Sequence, residues 1–224
     1  VNGDGLLDLF IGGYETDQSR DPQQFNRVDA QDGADNLLFI NHGELQFTEE
    51  SDARGVSGMG YTYVVGLFDF DDDGDLDLFE GNDYGRNVLR ENDGDGVFHP
   101  LTDHPLTSNA NNTMGLTIGD WDNSGSWSVY LSNMYSHAGH RVVRLTQSLG
   151  EEMRNRLQRL TGGNQFFMSA PDTGSFVDRA VAMKVNAAGW AWASLFVDLD
   201  NDGDKELFVS NGNTSHRDPN APDY

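Results

Sequence analysis

The chain's 224 residues, enough for one large or two small domains, carry 37 acidic side chains against 14 basic, a formal net charge of −23, and no cysteine. That excess argues against nucleic acid or an anionic membrane as a general partner, and disulfides can contribute nothing. No apolar run approaches a transmembrane span, so membrane insertion is not expected.

The chain opens on Val1-Asn2-Gly3-Asp4-Gly5-Leu6-Leu7-Asp8, followed by a short strand over Leu7–Ile11. A polar insertion spans 14–35, with turn signals at Asp21-Pro22 and Gln31-Asp32-Gly33; a decorative or disordered loop is the plain reading. Strands are then expected at Asn36-Leu37-Leu38-Phe39-Ile40, around Phe47, and over Tyr61–Phe68, where aromatic and β-branched residues accumulate.

Next comes Asp69-Phe70-Asp71-Asp72-Asp73-Gly74-Asp75-Leu76-Asp77. Its acidic side chains occupy loop positions 1, 3, 5 and 9, with glycine at position 6. Oxygen donors at that spacing around a tight glycine turn suit a hard cation taking six to eight oxygens, which is calcium. The expected ligands are Asp69, Asp71, Asp73 and Asp77, with the carbonyl of Asp75 at position 7. Glu80 falls at position 12 and completes an EF-hand pattern, but both flanks read as strands rather than helices, which makes this a calcium loop in a β-hairpin.

Beyond it follow strands at Leu76–Phe79, at Asn87-Val88-Leu89-Arg90, around Phe98 and over Met114–Ile118. The loop then recurs as Asp120-Trp121-Asp122-Asn123-Ser124-Gly125-Ser126-Trp127-Ser128. Its candidate ligands are Asp120, Asp122, Ser124, Ser128 and the Ser126 carbonyl. Two serines in place of carboxylates predict weaker binding or an empty loop.

A second insertion spans 135–163. Leu149, Met153, Leu157 and Leu160 follow the spacing of one helix face, which predicts a helix over 148–161. Ser148 is its candidate N-cap, Gly162-Gly163 its stop, and Met153 and Leu157 its buried side. Arg141, Arg144, Arg154, Arg156 and Arg159 place five of the 14 basic residues in this insertion. They either meet the molecule's own acids or form a patch for an external anion. His137 and His140 lack neighbouring cysteine or carboxylate partners, so an ordinary surface loop is the reading there.

Strands at Asn164–Met168, around Phe176 and over Ala191–Val197 lead to a last loop, Asp198-Leu199-Asp200-Asn201-Asp202-Gly203-Asp204-Lys205-Glu206, and to a strand over Leu207–Val209. The candidate ligands here are Asp198, Asp200, Asp202, Glu206 and the Asp204 carbonyl. In the opening stretch, Asn2, Asp4, Leu6 (by its carbonyl) and Asp8 match the same loop without its first residue. Position 12 in these other loops is Ile11, Leu131 or Val209, none able to replace the EF-hand glutamate. Trp121, Trp127, Trp190 and Trp192 lie beside strands, where blade-to-blade packing is the expectation over sugar stacking.

The loop glycines Gly5, Gly74, Gly125 and Gly203 are 69, 51 and 78 residues apart, as insertions into a four-stranded unit of about 50 residues would place them. The implied repeats are 1–60, 61–112, 113–189 and 190–224. "GLFDFDDDGDLDLFEGN", "NVLRENDGDGVF" and "WAWASLFVDLDNDGDKELFVSNG" resemble the FG-GAP/VCBS-type repeat of integrin α-subunit propellers. The match is nearest to bacterial VCBS proteins that often carry an ASPIC/UnbV domain. The resemblance implies an all-β propeller of four-stranded blades with calcium-binding hairpin loops and one short inserted helix. The ring is incomplete as written and belongs to a larger one, seven blades if integrin is the guide, with further blades or a partner chain at its open ends. Both insertions join second to third strands and so fall on the face away from calcium, where a protein or glycan ligand is expected. A secreted, cell-surface or periplasmic setting suits such calcium sites. The expected function is non-catalytic adhesion, assembly or recognition. The alternative is a propeller-type polysaccharide lyase or hydrolase acting on acidic glycans, although no nucleophile elbow, zinc-protease helix or phosphate loop is present.

Overall fold

The computed structural model describes residues 1–15, 29–108, 110–146, 150–170 and 174–211. Four antiparallel sheets follow one another along the chain. The first holds β1 (Leu9–Ile11), β2 (Leu37–Asn41) and β3 (Phe47–Glu49). In the second, β4 (Thr62–Phe68) and β5 (Asp77–Asn82) flank loop 69–76. A two-residue strand, β6 (Gly85–Arg86), then leads into β7 (Val88–Asn92) and β8 (Phe98–Leu101). The third begins after β9 (Ala110–Asn111), which pairs back with β6, and contains β10 (Gly115–Gly119), β11 (Ser128–Ser132), β12 (Gln165–Ser169) and β13 (Phe176–Asp178). The last pairs β14 (Ala191–Val197) with β15 (Glu206–Asn211).

The first strands lie side by side, β4 against β10 and β10 against β14, as inner strands of a propeller do. Glycine permits the approach: a Cβ at Gly66 would come within 2.6 Å of the Leu116 and Ile118 side chains, and one at Gly115 within 3.0 Å of the Ala193 Cα. Sheets stacked on both faces explain why β5 and β11 are buried along their whole length instead of alternating. Leu78 faces one cluster with Leu38, Ile40, Val56 and Phe98, while its neighbour Phe79 faces another with Phe68, Leu89, Val129, Leu131 and Phe167. A third cluster sets Tyr130 and Phe166 against Phe196 and Leu207 of the last sheet. The described residues form a propeller-like all-β fold without barrel closure.

One side chain recurs at the same place in three sheets. The asparagine just before β2, β7 and β12 accepts a backbone N–H at or just past the end of the strand paired with it: Asn36 from Gly13 (2.8 Å), Asn87 from Asn82 (2.9 Å) and Asn164 from Asn133 (2.7 Å). A backbone group released by the end of pairing is thereby satisfied without lengthening the ladder.

The second insertion corrects the expectation of one helix. It holds two, α1 (His137–Leu145) and α2 (Glu151–Leu160). Ser136 starts α1 by accepting the Gly139 N–H at 3.0 Å, so His137 and His140 stand on a helix and not in a loop. Their side chains lie outside the described residues. A four-residue turn of helix, α3 (Ala180–Met183), was also not foreseen. The N-cap position of α2 is Gly150, with no side-chain cap, rather than Ser148; Ser148 and Leu149 fall outside the described residues, as does Asp21-Pro22. Met153, expected to be buried, is 41% exposed, and the anchor is Leu160 at 7% with Leu157 half-buried. The helix rests against β9 and pairs Arg156 with Asp29 at 2.8 Å, so the helical anchor is partly ionic and Met153 is turned away. That ion pair joins the two insertions on one face, as strand alternation requires.

Candidate metal centres

All four loops share one backbone shape, including those with fewer carboxylates. Positions 4 and 6 take positive φ in each: Gly3 and Gly5, Asp72 and Gly74, Asn123 and Gly125, Asn201 and Gly203. Only Gly, Asn or Asp occupies these positions, the residues that reach the left-handed region at least cost. In the three loops that have a position 1, its carboxylate closes the turn. Asp69 accepts the N–H groups of Asp73 and Gly74, both at 3.0 Å; Asp120 accepts those of Ser124 and Gly125, both at 2.9 Å; Asp198 accepts that of Gly203 at 3.1 Å.

Two loops gather three carboxylates. One oxygen each from Asp69, Asp71 and Asp77 lies within 4.8 Å of the others, and the same holds for Asp198, Asp200 and Glu206. These are positions 1, 3 and 9. Asp73 and Asp202, expected as fourth ligands, stand outside the trios and accept the N–H groups of Asp75 (3.2 Å) and Asp204 (2.9 Å). The opening stretch holds only Asp4 and Asp8 as acids: Asp4 accepts the Leu6 N–H at 2.8 Å, and Asn2 donates to Asp4 at 3.1 Å. In loop 120–128, Asp120 and Asp122 are the sole carboxylates, and Ser124 accepts from Ser126 at 3.3 Å.

Asp77 is the most constrained of the acids. It is fully buried, and it accepts Phe70 N–H at 3.0 Å and Asn92 N–H at 2.9 Å. Burial pushes its carboxyl up from the ordinary 3.8 to about 6 despite both hydrogen bonds. Asp71 and Asp75 are also raised, first by burial and then by the Asp73 charge. Such a trio is poorly compensated by the protein alone, and its all-oxygen donors fit a hard divalent cation.

Two clamps escaped the sequence reading. Asn92 donates its side-chain N–H to the carbonyl of Leu76, while its backbone N–H goes to Asp77. Asn41 repeats this, donating to the Leu7 carbonyl at 3.0 Å and, through its backbone, to Asp8 at 2.9 Å. The ends of β7 and β2 thus hold positions 8 and 9 of their own sheets' loops. Asn-Asp-Gly in 92–94 and Asn-His-Gly in 41–43 carried the signal.

Adjacent loops also touch. Asn123 donates to the Gly203 carbonyl at 2.7 Å, and the Lys205 ammonium to the carbonyl of Asp120. Glu80 is no ligand. It lies buried on β5 with its carboxylate 2.7 Å from the Arg90 guanidinium. Trp121 packs on Phe166 and Trp127 on Phe68, whereas Trp192 is 41% exposed beside Tyr63.

The loop-to-loop unit from Asp69 to Leu131 matches a known family model, the FG-GAP-like repeat. The match starts at position 1 of one loop and ends on the strand after the next, so it covers one full loop-to-loop repeat and the recurrence of its loop. It concerns the repeat and not an ASPIC/UnbV domain. No curated protein matches the chain. No described helix is long and apolar enough to cross a membrane.

Proposed function

We propose that the chain is a calcium-stapled, non-catalytic propeller module for recognition, adhesion or assembly outside the cytoplasm. The observation that carries this reading is the pair of carboxylate trios, each brought within 4.8 Å at the same three loop positions of two different sheets. Three carboxylates at that distance repel one another, and a cation of charge +2 converts the repulsion into attraction. Calcium accepts the mixed carboxylate and carbonyl set that such a loop can present, with the second oxygens of Asp73 and Asp202 as fourth donors. Its role is to hold strand pairs together, since it binds far from the opposite face where both insertions gather. That face, built from connections and helices, is the one available to a protein or glycan ligand.

Calcium titration calorimetry on the full chain, with thermal melts in calcium and in chelator, tests the reading. Two sites of higher affinity, loops 69–77 and 198–206, and a melting temperature several degrees higher in calcium are expected. Absence of heat at millimolar calcium, or an unchanged melt after confirmed metal removal, refutes it.

A further inference from the structure

On the face away from the calcium loops, a cleft of about 360 Å³ lies between α2 and the segment after β13. That volume is at the small end of ligand pockets, with room for one or two sugar rings. One wall is the face of α2 formed by Asn155, Gln158 and Arg159, whose spacing of three and four residues sets them side by side. Asp178 and Asn186 stand on the other wall. Gly163 forms part of the floor, where a Cβ would meet the Asn186 carbonyl at 2.2 Å and the Tyr135 ring at 2.8 Å.

We propose that this cleft binds a carboxylated sugar, a uronate unit of an acidic glycan. The charges decide the class. Asp178 keeps its charge, and one of its oxygens is occupied by the N–H groups of Phe166 (3.2 Å) and Ala180 (2.9 Å). Arg156, one turn from the cleft wall, is spent on Asp29 and Glu152 at 2.8 and 2.9 Å. Arg159 forms no ion pair among the described residues, Asp178 included, and the cleft therefore presents one guanidinium still able to pair with an anion. A carboxylate is the planar anion that a guanidinium meets with two parallel hydrogen bonds.

The carboxamides select the rest of the ligand. Asn155, Gln158 and Asn186 each offer both donors and an acceptor, which suits hydroxyl groups that donate and accept at once. The other oxygen of Asp178, without a hydrogen bond among the described residues, accepts a further hydroxyl. A free amino acid matches less well, because its ammonium would meet only that one oxygen while the amide groups went unused.

This inference rests on the reading of the insertion face as the recognition surface, and the test separates the two. Calorimetric titration of the full chain in saturating calcium uses D-glucuronate, D-glucose and L-glutamate as probes. D-glucuronate is expected to bind about tenfold or more tightly than D-glucose, the margin a charge-assisted pair provides. Arg159→Gln should remove that margin. Asn186→Ala should weaken both sugars, and Arg141→Gln, on α1 outside the cleft, should change neither. Equal affinity for D-glucuronate and D-glucose, no binding of either, an unaffected Arg159→Gln variant, or L-glutamate binding as tightly as D-glucuronate each overturns the proposal. Calcium heats recorded on the same samples keep the outcomes apart: sugar binding without calcium binding defeats only the metal reading, and the reverse defeats only this one.

Discussion

Replacing Asp77 with asparagine separates its two tasks, because each is lost under different conditions. Asp77 accepts two backbone N–H groups from a fully buried position and belongs to the carboxylate trio. An asparagine oxygen can keep one of those hydrogen bonds, but its NH₂ then faces the other donor. A buried donor left unsatisfied costs about 1–3 kcal/mol, and that is the loss expected in chelator. In calcium the variant also forfeits the linkage contribution of its site, RT ln(1 + [L]/Kd), about 2.7 kcal/mol at a hundredfold excess over Kd. Urea denaturation of both proteins, in calcium and in chelator, measures the two losses. The deficit should be roughly twofold or more larger in calcium. Asp72→Asn, at exposed position 4, should be neutral in both. An equal deficit for Asp77→Asn with and without calcium would show that the carboxylate serves the sheet alone.

Three further outcomes follow from individual groups. Arg90→Met should cost about 3–5 kcal/mol by stranding Glu80, and Glu80→Gln with Arg90→Met should recover much of it; calcium heats should stay unchanged throughout, since Glu80 faces away from the loop. For pH, the Asp77 carboxyl at about 6 lies above its ordinary 3.8, so without calcium its contribution is fullest below about 4 and is lost as pH rises through about 6. Calcium must displace that proton, so affinity measured by calorimetry should fall as pH drops below about 6. Arg156→Glu removes partly exposed ion pairs to Asp29 and Glu152 and should lower urea stability by about 1 kcal/mol, the scale of surface pairs; no loss would mean that the insertions are not tied together through this arginine.

The loops were legible because chemistry there is local. Carboxylate spacing and a turn glycine lie within nine residues, and a repeated pattern distinguishes a hairpin loop from an EF-hand even where Glu80 completes the latter. The strands were legible for a related reason, since the asparagine just before β2, β7 and β12 sits at a fixed offset from the ladder. What could not be read was set by contacts distant in sequence. Nothing near Glu80 reveals that Arg90 neutralises it on the adjacent strand, and nothing in 148–161 reveals that Asp29 captures Arg156. The periodic Leu149, Met153, Leu157 and Leu160 pointed to a buried stripe, yet that ion pair and the Leu160 anchor leave Met153 exposed. Ser136 was a legible helix start, obscured because glycine and histidine follow it.

Position 9 is where metal chemistry and sheet geometry meet. Asp77 and Asp8 each hold the N–H at the end of the strand that follows, β7 or β2, so the loop's attachment to its sheet does not depend on a cation. Loop 120–128 tests that logic within the molecule, because both partners have changed together. Ser128 stands where Asp77 would, and Ser169 replaces the asparagine, its N–H turned to the Trp127 carbonyl at 2.9 Å. The turn nevertheless keeps its positive φ values at Asn123 and Gly125. Its support comes from the next sheet, through Asn123 to Gly203 and through the Lys205 ammonium to the Asp120 carbonyl. A protein-borne cation therefore fastens position 1 of the loop that has lost two carboxylates, while the neighbour that lends it retains its own trio. The loops differ in their charged groups, and the backbone they hold is the same.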